Sequence, residues 1–168
     1  MNENSPKQHT VALSLGSNVG DRLAYLRKAK EALAPYVTLK ACSDVYETIS
    51  AYAGDQPLFL NAALWGTTIF DPKGLLYTIK DIELSLGRLP TFHYGPRTID
   101  IDIVFFDDLV MHTANLVIPH KLMSERSFVL KPLADICPEW VHPDLGKTVQ
   151  ALWDELPKED IITLIDTL

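Results

Sequence analysis

The chain has few cysteines and no apolar run long enough to span a membrane. Cys42 and Cys137 are the only cysteines among 168 residues, and their separation matches no zinc or redox spacing. We therefore expect two reduced thiols without a chemical role. The first ten residues are polar and resemble neither a signal peptide nor an anchor. These absences predict a cytoplasmic protein with no membrane partner.

An excess of positive charge is also missing. The formal net charge is −7, whereas binding to a nucleic-acid backbone requires a basic surface. We therefore expect no nucleic-acid partner. The basic side chains that do stand close in sequence lie between positions 88 and 126: Arg88, His93, Arg97, His120, Lys121 and Arg126. Their grouping predicts a site for a small polyanion such as a nucleotide.

Length and hydrophobic pattern predict one α+β domain. A chain of 168 residues with 47% hydrophobic content should form a single domain, here 11–168, after a disordered tail at 1–10. Predicted strands cover 11–15, 37–47, 59–70 and 98–106, and predicted helices cover 21–36, 72–87, 123–133 and 144–157. The apolar segment 161–168 has no predicted place. Strand, helix, strand, strand, helix, strand is the split βαβ order of a ferredoxin-like, mostly antiparallel sheet.

Two carboxylates alternate with isoleucines in the last predicted strand. Side chains of a strand point to opposite faces in turn, so Asp100 and Asp102 share one face while Ile99, Ile101 and Ile103 share the other. Their Cα atoms should lie roughly 6–7 Å apart. Carboxylates at this spacing can converge on one Mg²⁺ or on two ions about 3.5–4 Å apart. The motif therefore predicts a magnesium site.

A solvated polar face is the alternative interpretation of the same motif. Paired aspartates on an edge strand are common without any metal. The turn before the strand, however, brings Arg97 close to both carboxylates, as in a phosphate clamp or a surface ion pair. The residues alone leave both interpretations open.

Other candidate residues are weaker when taken singly. The segment Gly16-Ser17-Asn18-Val19-Gly20-Asp21 is no phosphate loop of the Walker type, because Asp21 stands where a lysine is needed. Polar side chains beside a loop can bind a planar polar ligand, and aromatic rings can stack on one, although such residues usually serve structure. The candidates of this kind are Thr48, Asn61, Phe59 and Phe128. On its pattern, Glu83 is a surface charge, and His120 is either a phosphate contact or structural.

Five segments, in order, resemble the 6-hydroxymethyl-7,8-dihydropterin pyrophosphokinase family. They are Leu15-Gly16-Ser17-Asn18, 55–63, 82–88, Gly95-Pro96-Arg97-Thr98-Ile99-Asp100-Ile101-Asp102 and 118–130. The resemblance covers roughly 11–145. It implies a ferredoxin-like, three-layer αβα fold and transfer of pyrophosphate from ATP to a pterin alcohol, with release of AMP. It implies ATP and hydroxymethyl-dihydropterin as small-molecule substrates, two Mg²⁺ ions and a monomer.

The resemblance also implies residue roles. Asp100 and Asp102 would hold both metal ions, and Arg88 and Arg97 would act catalytically on the phosphates. The implied pterin pocket consists of Thr48, Phe59, Asn61, Tyr94 and Phe128, and the implied ATP contacts are Glu83, Arg88, Arg97, Ile103, His120 and Arg126.

The sequence also departs from the family pattern. Tyr94 stands where tryptophan is common, Phe59 where tyrosine is common and Asn115 where some members have a basic nucleotide contact.

Two other classes remain open from the residues. A two-metal hydrolase of small phosphates would use the same aspartates, but it would release phosphate or pyrophosphate without a pterin. A regulatory module of the same fold would bind a nucleotide without turnover.

Overall fold

The fold was analysed in a computed structural model, which describes residues 5–49, 55–91, 95–158 and 162–168. The predicted pterin residue Tyr94 and the basic residue His93 lie outside the described residues. The part of the chain that is described contains no helix with the length and apolar character needed to cross a membrane.

Eight strands and four α-helices follow one another along the described chain. The strands are β1 (His9–Ser17), β2 (Thr38–Cys42), β3 (Asp44–Thr48), β4 (Phe59–Thr68), β5 (Asp100–Phe106), β6 (Met111–His112), β7 (Val117–Ile118) and β8 (Ile162–Thr167). The helices are α1 (Arg22–Leu33), α2 (Pro72–Ser85), α3 (Ser127–Ile136) and α4 (Val149–Glu155). The side chains of Asp21 and Asp71 accept from the backbone N–H of Ala24 and Gly74, capping α1 and α2 as such residues should.

The main sheet has the predicted ferredoxin-like order. Its strands run β5-β1-β4-β3-β8, with β2 also paired to β4, and β6 and β7 form a separate two-stranded sheet. All pairs among the described strands are antiparallel. Helix α1 connects β1 to β2, and β4 lies between these two strands. Helix α2 connects β4 to β5, and β1 lies between them. The split βαβ prediction is confirmed.

Two hydrophobic cores, one on each face of the sheet, make three layers. One core joins α1 and α2 to the sheet through residues such as Leu13, Leu33, Ile79 and Ile101. The other joins α3 and α4 to the opposite face; its members include Ala12, Ala63, Phe105, Leu130 and Leu152. The isoleucines of β5 therefore face α1 and α2, and the aspartates face the α3 side, as the alternation predicts.

A bulge in β5 changes which face its last residues meet. The register opposite β1 shifts between Ala12 and Leu13, so that Val104 has no partner of its own. Val104 and Phe105 consequently both join the core under α3, while Phe106 returns to the core under α1 and α2.

Several sequence-based boundaries are wrong, among them 144–157 for α4, and three of them have a clear physical reason. The predicted strand 37–47 is two strands, because the Ser43 hydroxyl accepts from Ala63 N at 2.8 Å and replaces a regular ladder bond. The predicted tail extends too far, since β1 already begins at His9. The predicted helix 123–133 is a 3₁₀ turn, Met123–Glu125, followed by α3, because Arg126 between them is extended.

Candidate active site

One row of side chains crosses the sheet on the face that α3 partly covers. In the strand register Asp100 pairs with Gly16, Gly16 with Asn61, and Asn61 with Tyr46. Adjacent strands lie about 4.8 Å apart, so Asp100 and Asn61 are about 10 Å apart across Gly16. A methyl group on Gly16 would come within 3.0 Å of Asn61 Oδ1. Because Gly16 has no side chain, only backbone lies between the Asp100 carboxylate and the Asn61 amide in this row.

The neighbouring row contains the second aspartate. Asp102 pairs with Ser14, and Ser14 pairs with Ala63. Ser14 is 7% exposed, and Ala63 belongs to the core under α3. The sheet surface between the two aspartates and Asn61 therefore carries only small residues. The packed core under α3 begins at Ala63.

Two arginines neutralise Asp100. Arg88 Nη1 lies 2.9 Å from Asp100 Oδ1, and Arg97 Nη1 lies 2.8 Å from Asp100 Oδ2. The same Arg88 nitrogen lies 2.7 Å from Glu83 Oε1. Each oxygen of Asp100 therefore has its own guanidinium partner, and three of the residues predicted to handle phosphate are in direct contact.

Glu83 is a buried connector and not the surface charge that its pattern indicated. Its side chain is 2% exposed, and its Oε1 accepts from the backbone N–H of Ile101 at 2.8 Å. Its Oε2 lies 3.1 Å from Lys80 Nζ. Glu83 thereby fixes α2 to the outer edge of β5 and holds Arg88 in place.

The surroundings of Asp102 disfavour its negative charge. Burial, and next the charge of Asp100, raises the pKa of Asp102 to about 7. Within the described ranges no three His, Cys, Asp or Glu side chains converge as a complete metal cage. Mg²⁺ usually binds through one or two carboxylates together with substrate phosphates, so this oxygen pair fits that metal.

His120 presents a neutral N–H to the aspartate end. Its Nδ1 accepts from the backbone N–H of Leu122 at 3.3 Å, which leaves the proton on Nε2. Nε2 lies 3.9 Å from Asp102 Oδ2, too far for a hydrogen bond. Burial, and next the charge of Arg126, lowers the pKa of His120 to about 4. At neutral pH the ring is therefore uncharged and its N–H can donate to an anionic ligand.

The other end of the row carries the residues predicted to bind a heterocycle. Asn61 Nδ2 donates to Thr48 Oγ1 at 2.7 Å, and both residues are buried. Phe59 pairs with Thr48 in the register and shares the sheet face of Asn61. Phe128 is the second residue of α3 on this side of the sheet, and the guanidinium carbon of Arg126 lies 5.5 Å from its ring centre.

One ATP-site prediction, Ile103, and one departure from the family pattern, Asn115, can be placed in the structure. Ile103 is 4% exposed within the core under α1 and α2, on the face opposite the aspartates. A nucleotide contact by Ile103 would therefore use its backbone, since β5 is an edge strand of the main sheet. Asn115 is exposed in the turn between β6 and β7.

Sequence reasoning gave no role to Asn18, which joins two loops. Its Oδ1 accepts from Arg97 N at 2.8 Å, and its own N–H donates to Arg97 O at 3.1 Å. Its Nδ2 donates to Gln56 Oε1 at 3.0 Å. Asn18 is 1% exposed and links the segment that carries Arg97 to the segment that precedes Phe59. The signals in the sequence were a polar residue directly after a buried strand and its place in the segment Leu15-Gly16-Ser17-Asn18.

The fold and this site define a class: α+β proteins whose sheet carries carboxylates paired with arginines at one end of a row and a buried threonine–asparagine pair at the other. The family description of 7,8-dihydro-6-hydroxymethylpterin-pyrophosphokinase (HPPK) matches residues 12–138. The chain therefore belongs to this family of diphosphotransferases.

Individual relatives agree with that assignment. The 2-amino-4-hydroxy-6-hydroxymethyldihydropteridine pyrophosphokinase of Aquifex aeolicus is 42% identical over 141 residues, 84% of this chain and 88% of that protein. A folic acid synthesis protein of Pneumocystis carinii is 39% identical over 160 residues, 95% of this chain and 22% of that protein. The chain spans only 24% of the corresponding Dictyostelium discoideum protein.

A solved structure shares the fold. The HPPK-DHPS protein of Plasmodium falciparum matches with a TM-score of 0.73 at 20% identity, over 90% of this chain and 44% of that chain.

Proposed function

We propose that this chain transfers the pyrophosphoryl group of ATP to the hydroxymethyl oxygen of 6-hydroxymethyl-7,8-dihydropterin, with release of AMP and dependence on Mg²⁺. The observation that carries the proposal is the row Asp100, Gly16 and Asn61. Its charged end and its hydrogen-bonding end are separated only by the backbone of Gly16. The names of the Aquifex aeolicus relative and of the matching family supply the pterin and the pyrophosphate.

The arginines would exchange partners when ATP binds. Arg88 and Arg97 now neutralise Asp100, and their planar forks suit phosphate oxygens equally well. Two Mg²⁺ ions held by Asp100 and Asp102 would supply charge neutralisation of the phosphates. As the guanidinium groups turn to the phosphates, Asp100 is freed to act as a ligand. His120 and Arg126 would add an N–H donor and a positive charge on the same side.

Hydrogen bonds and stacking would hold the heterocycle. Thr48 and Asn61 are buried and joined to each other, so they present a fixed set of donors and acceptors to a planar polar ring. Phe59 and Phe128 would stack on that ring, together with Tyr94, whose role stays a prediction.

The chemistry would be positioning and charge neutralisation without a side-chain base. The hydroxymethyl oxygen would attack the β-phosphorus in line, the bond from the β-phosphorus to the AMP oxygen would break, and the hydroxyl proton would pass to solvent water. His120 is neutral with its proton on Nε2, so it serves as a donor to phosphate.

The proposal is tested by AMP formation from Mg-ATP with and without the pterin alcohol. Pterin-dependent AMP is the expected result. Phosphate or pyrophosphate release without pterin would support the two-metal hydrolase instead, and nucleotide binding without any product would support the regulatory module. The same reaction with excess EDTA tests the metal, and undiminished AMP there would contradict the assignment of Asp100 and Asp102.

Three further expectations stay predictions. A monomer is checked by light scattering on a size-exclusion column, a cytoplasmic location by cell fractionation, and a single cooperative domain by calorimetry.

A further inference from the structure

Tyr46 occupies the row of the candidate site without a role in the chemistry above. It pairs with Asn61 in the strand register and is 7% exposed. Its hydroxyl group donates to Asp135 Oδ2 in a short hydrogen bond. Burial, and next the bond to Asp135, raises the pKa of Tyr46, so the phenol remains a neutral donor at any physiological pH.

The acceptor belongs to the helix that carries Phe128. Phe128, Lys131 and Asp135 are spaced by three and four residues in α3, so they lie along one side of the helix. Asp135 Oδ1 lies 2.7 Å from Lys131 Nζ, and that ammonium lies 5.5 Å from the centre of the Tyr46 ring. One side of α3 therefore meets β3 through Tyr46 and also presents Phe128.

The first turn of α3 needs such tertiary support. Pro132 lies inside the helix and has no N–H to donate to the carbonyl oxygen of Phe128. The helix therefore lacks one internal bond at the residue that would cover the heterocycle. Contacts with the sheet must fix the position of this turn instead.

We propose that Tyr46 and Asp135 are positioning residues for the pterin pocket. Their hydrogen bond holds α3 against β3 and so sets the position of Phe128 relative to Thr48 and Asn61. This inference rests on the proposed function, since it assigns the bond to the geometry of that pocket.

The test is a double-mutant cycle on pterin recognition. Tyr46→Phe keeps the ring and removes the donor, and Asp135→Ala removes the acceptor. We expect each to raise the KM for the pterin about five- to tenfold, with kcat and the KM for ATP changed less than twofold. The KM of the double variant for the pterin should be no higher than that of the more strongly affected single variant, because both substitutions remove the same bond.

Two matched variants separate this bond from its surroundings. Asp135→Asn retains an oxygen acceptor and should restore most of the pterin affinity. Lys131→Gln breaks the ion pair with Asp135 but leaves the bond from Tyr46, so its KM should stay within twofold of wild type. Additive effects in the double variant, or a lower Tm with unchanged pterin KM, would overturn the proposal.

Hydrogen exchange distinguishes failure of this inference from failure of the proposed function. Wild type without pterin-dependent AMP would refute the function. Independently of activity, Tyr46→Phe should increase amide exchange in α3, including at Val129 and Leu130, whose N–H groups donate to Arg126 O, whereas Lys131→Gln should not. Unchanged exchange in Tyr46→Phe would contradict the role of the bond whatever the activity.

Discussion

At the scale of single residues, the site depends on how charge is balanced around two adjacent carboxylates. Asp100 has an arginine on each oxygen, whereas the pKa of Asp102 is raised to about 7 by burial and by Asp100. His120 adds no charge at neutral pH. Asp100 is therefore satisfied within the protein, and we propose that Asp102 binds a cation.

Asp102→Asn should abolish most turnover and keep the fold. The amide has nearly the same shape but loses the negative charge that a cation needs, so we expect kcat to fall roughly 100-fold or more. Asp81→Asn, on the exposed side of α2, is the matched control and should keep wild-type turnover. Substantial activity of Asp102→Asn at saturating Mg²⁺ would refute the metal assignment.

Arg88→Ala and Arg97→Ala should reduce turnover more than pterin affinity. Both guanidinium groups lie at the charged end of the row, so their loss removes stabilisation of the phosphates and leaves Thr48 and Asn61 intact. We expect a loss of about 100-fold in kcat and less than threefold in the Kd for pterin. Arg27→Ala, which removes an exposed ion pair with Asp166, serves as control. The account fails here if pterin affinity falls while kcat stays at the wild-type value.

Asp107 gives a pH-dependent contribution to stability. Partial burial alone would raise its pKa, but hydrogen bonds from His9 and from the backbone N–H of Thr10 outweigh it and lower the pKa. A carboxyl with a lower pKa in the folded state stabilises the protein above its unfolded value, about 3.9, and loses this effect as pH falls through the folded pKa.

Asp107→Asn should therefore lower the free energy of unfolding at pH 7 and have no effect near pH 2. Asparagine tolerates the positive φ of 48° at this position, so backbone strain does not confuse the comparison. Urea unfolding at several pH values provides the measurement. A difference that is the same at pH 7 and pH 2 would assign the effect to packing and not to charge.

At the scale of elements, the sequence predicted correctly those features that depend on residues close to one another in the chain. The alternation in β5 and the starts of α1 and α2 were predicted correctly, because they depend on neighbours within a few positions. The break between β2 and β3 at Ser43 was not predicted, since it depends on a hydrogen bond from the backbone N–H of Ala63, on another strand, to the Ser43 hydroxyl group. The segment 161–168 likewise had no predicted place, because β8 is defined by pairing with the distant β3.

Gly66→Ala should test the close approach of β2 to β4. A methyl group at Gly66 would lie 2.3 Å from the carbonyl oxygen of Thr38, so the two strands would have to separate. We expect a cost of roughly 2–3 kcal/mol, or a Tm lower by about 4–12 °C. Gly146→Ala is the control: its methyl group would meet nothing within 4 Å and only the φ of 64° is strained. Equal losses for both variants would contradict the close approach.

At the scale of the whole molecule, the helices of the three layers leave one end of one sheet face uncovered. Helices α1 and α2 cover one face, and α3 and α4 cover the other only as far as Ala63 and Val104. The sequence could predict Asp100, Asp102 and the arginines because motif and charge mark them. It could not predict that Asn18 joins two loops or that Glu83 is buried between α2 and β5, since these contacts form only in the folded chain.

The most direct test of the central claim is the mass of the pterin product after one reaction with Mg-ATP. The account predicts a pterin that carries two phosphoryl groups, formed in step with AMP, because the row from Asp100 to Asn61 would align the hydroxymethyl oxygen with the β-phosphorus. A pterin with a single phosphoryl group together with ADP, or an unmodified pterin in the presence of consumed ATP, would contradict it.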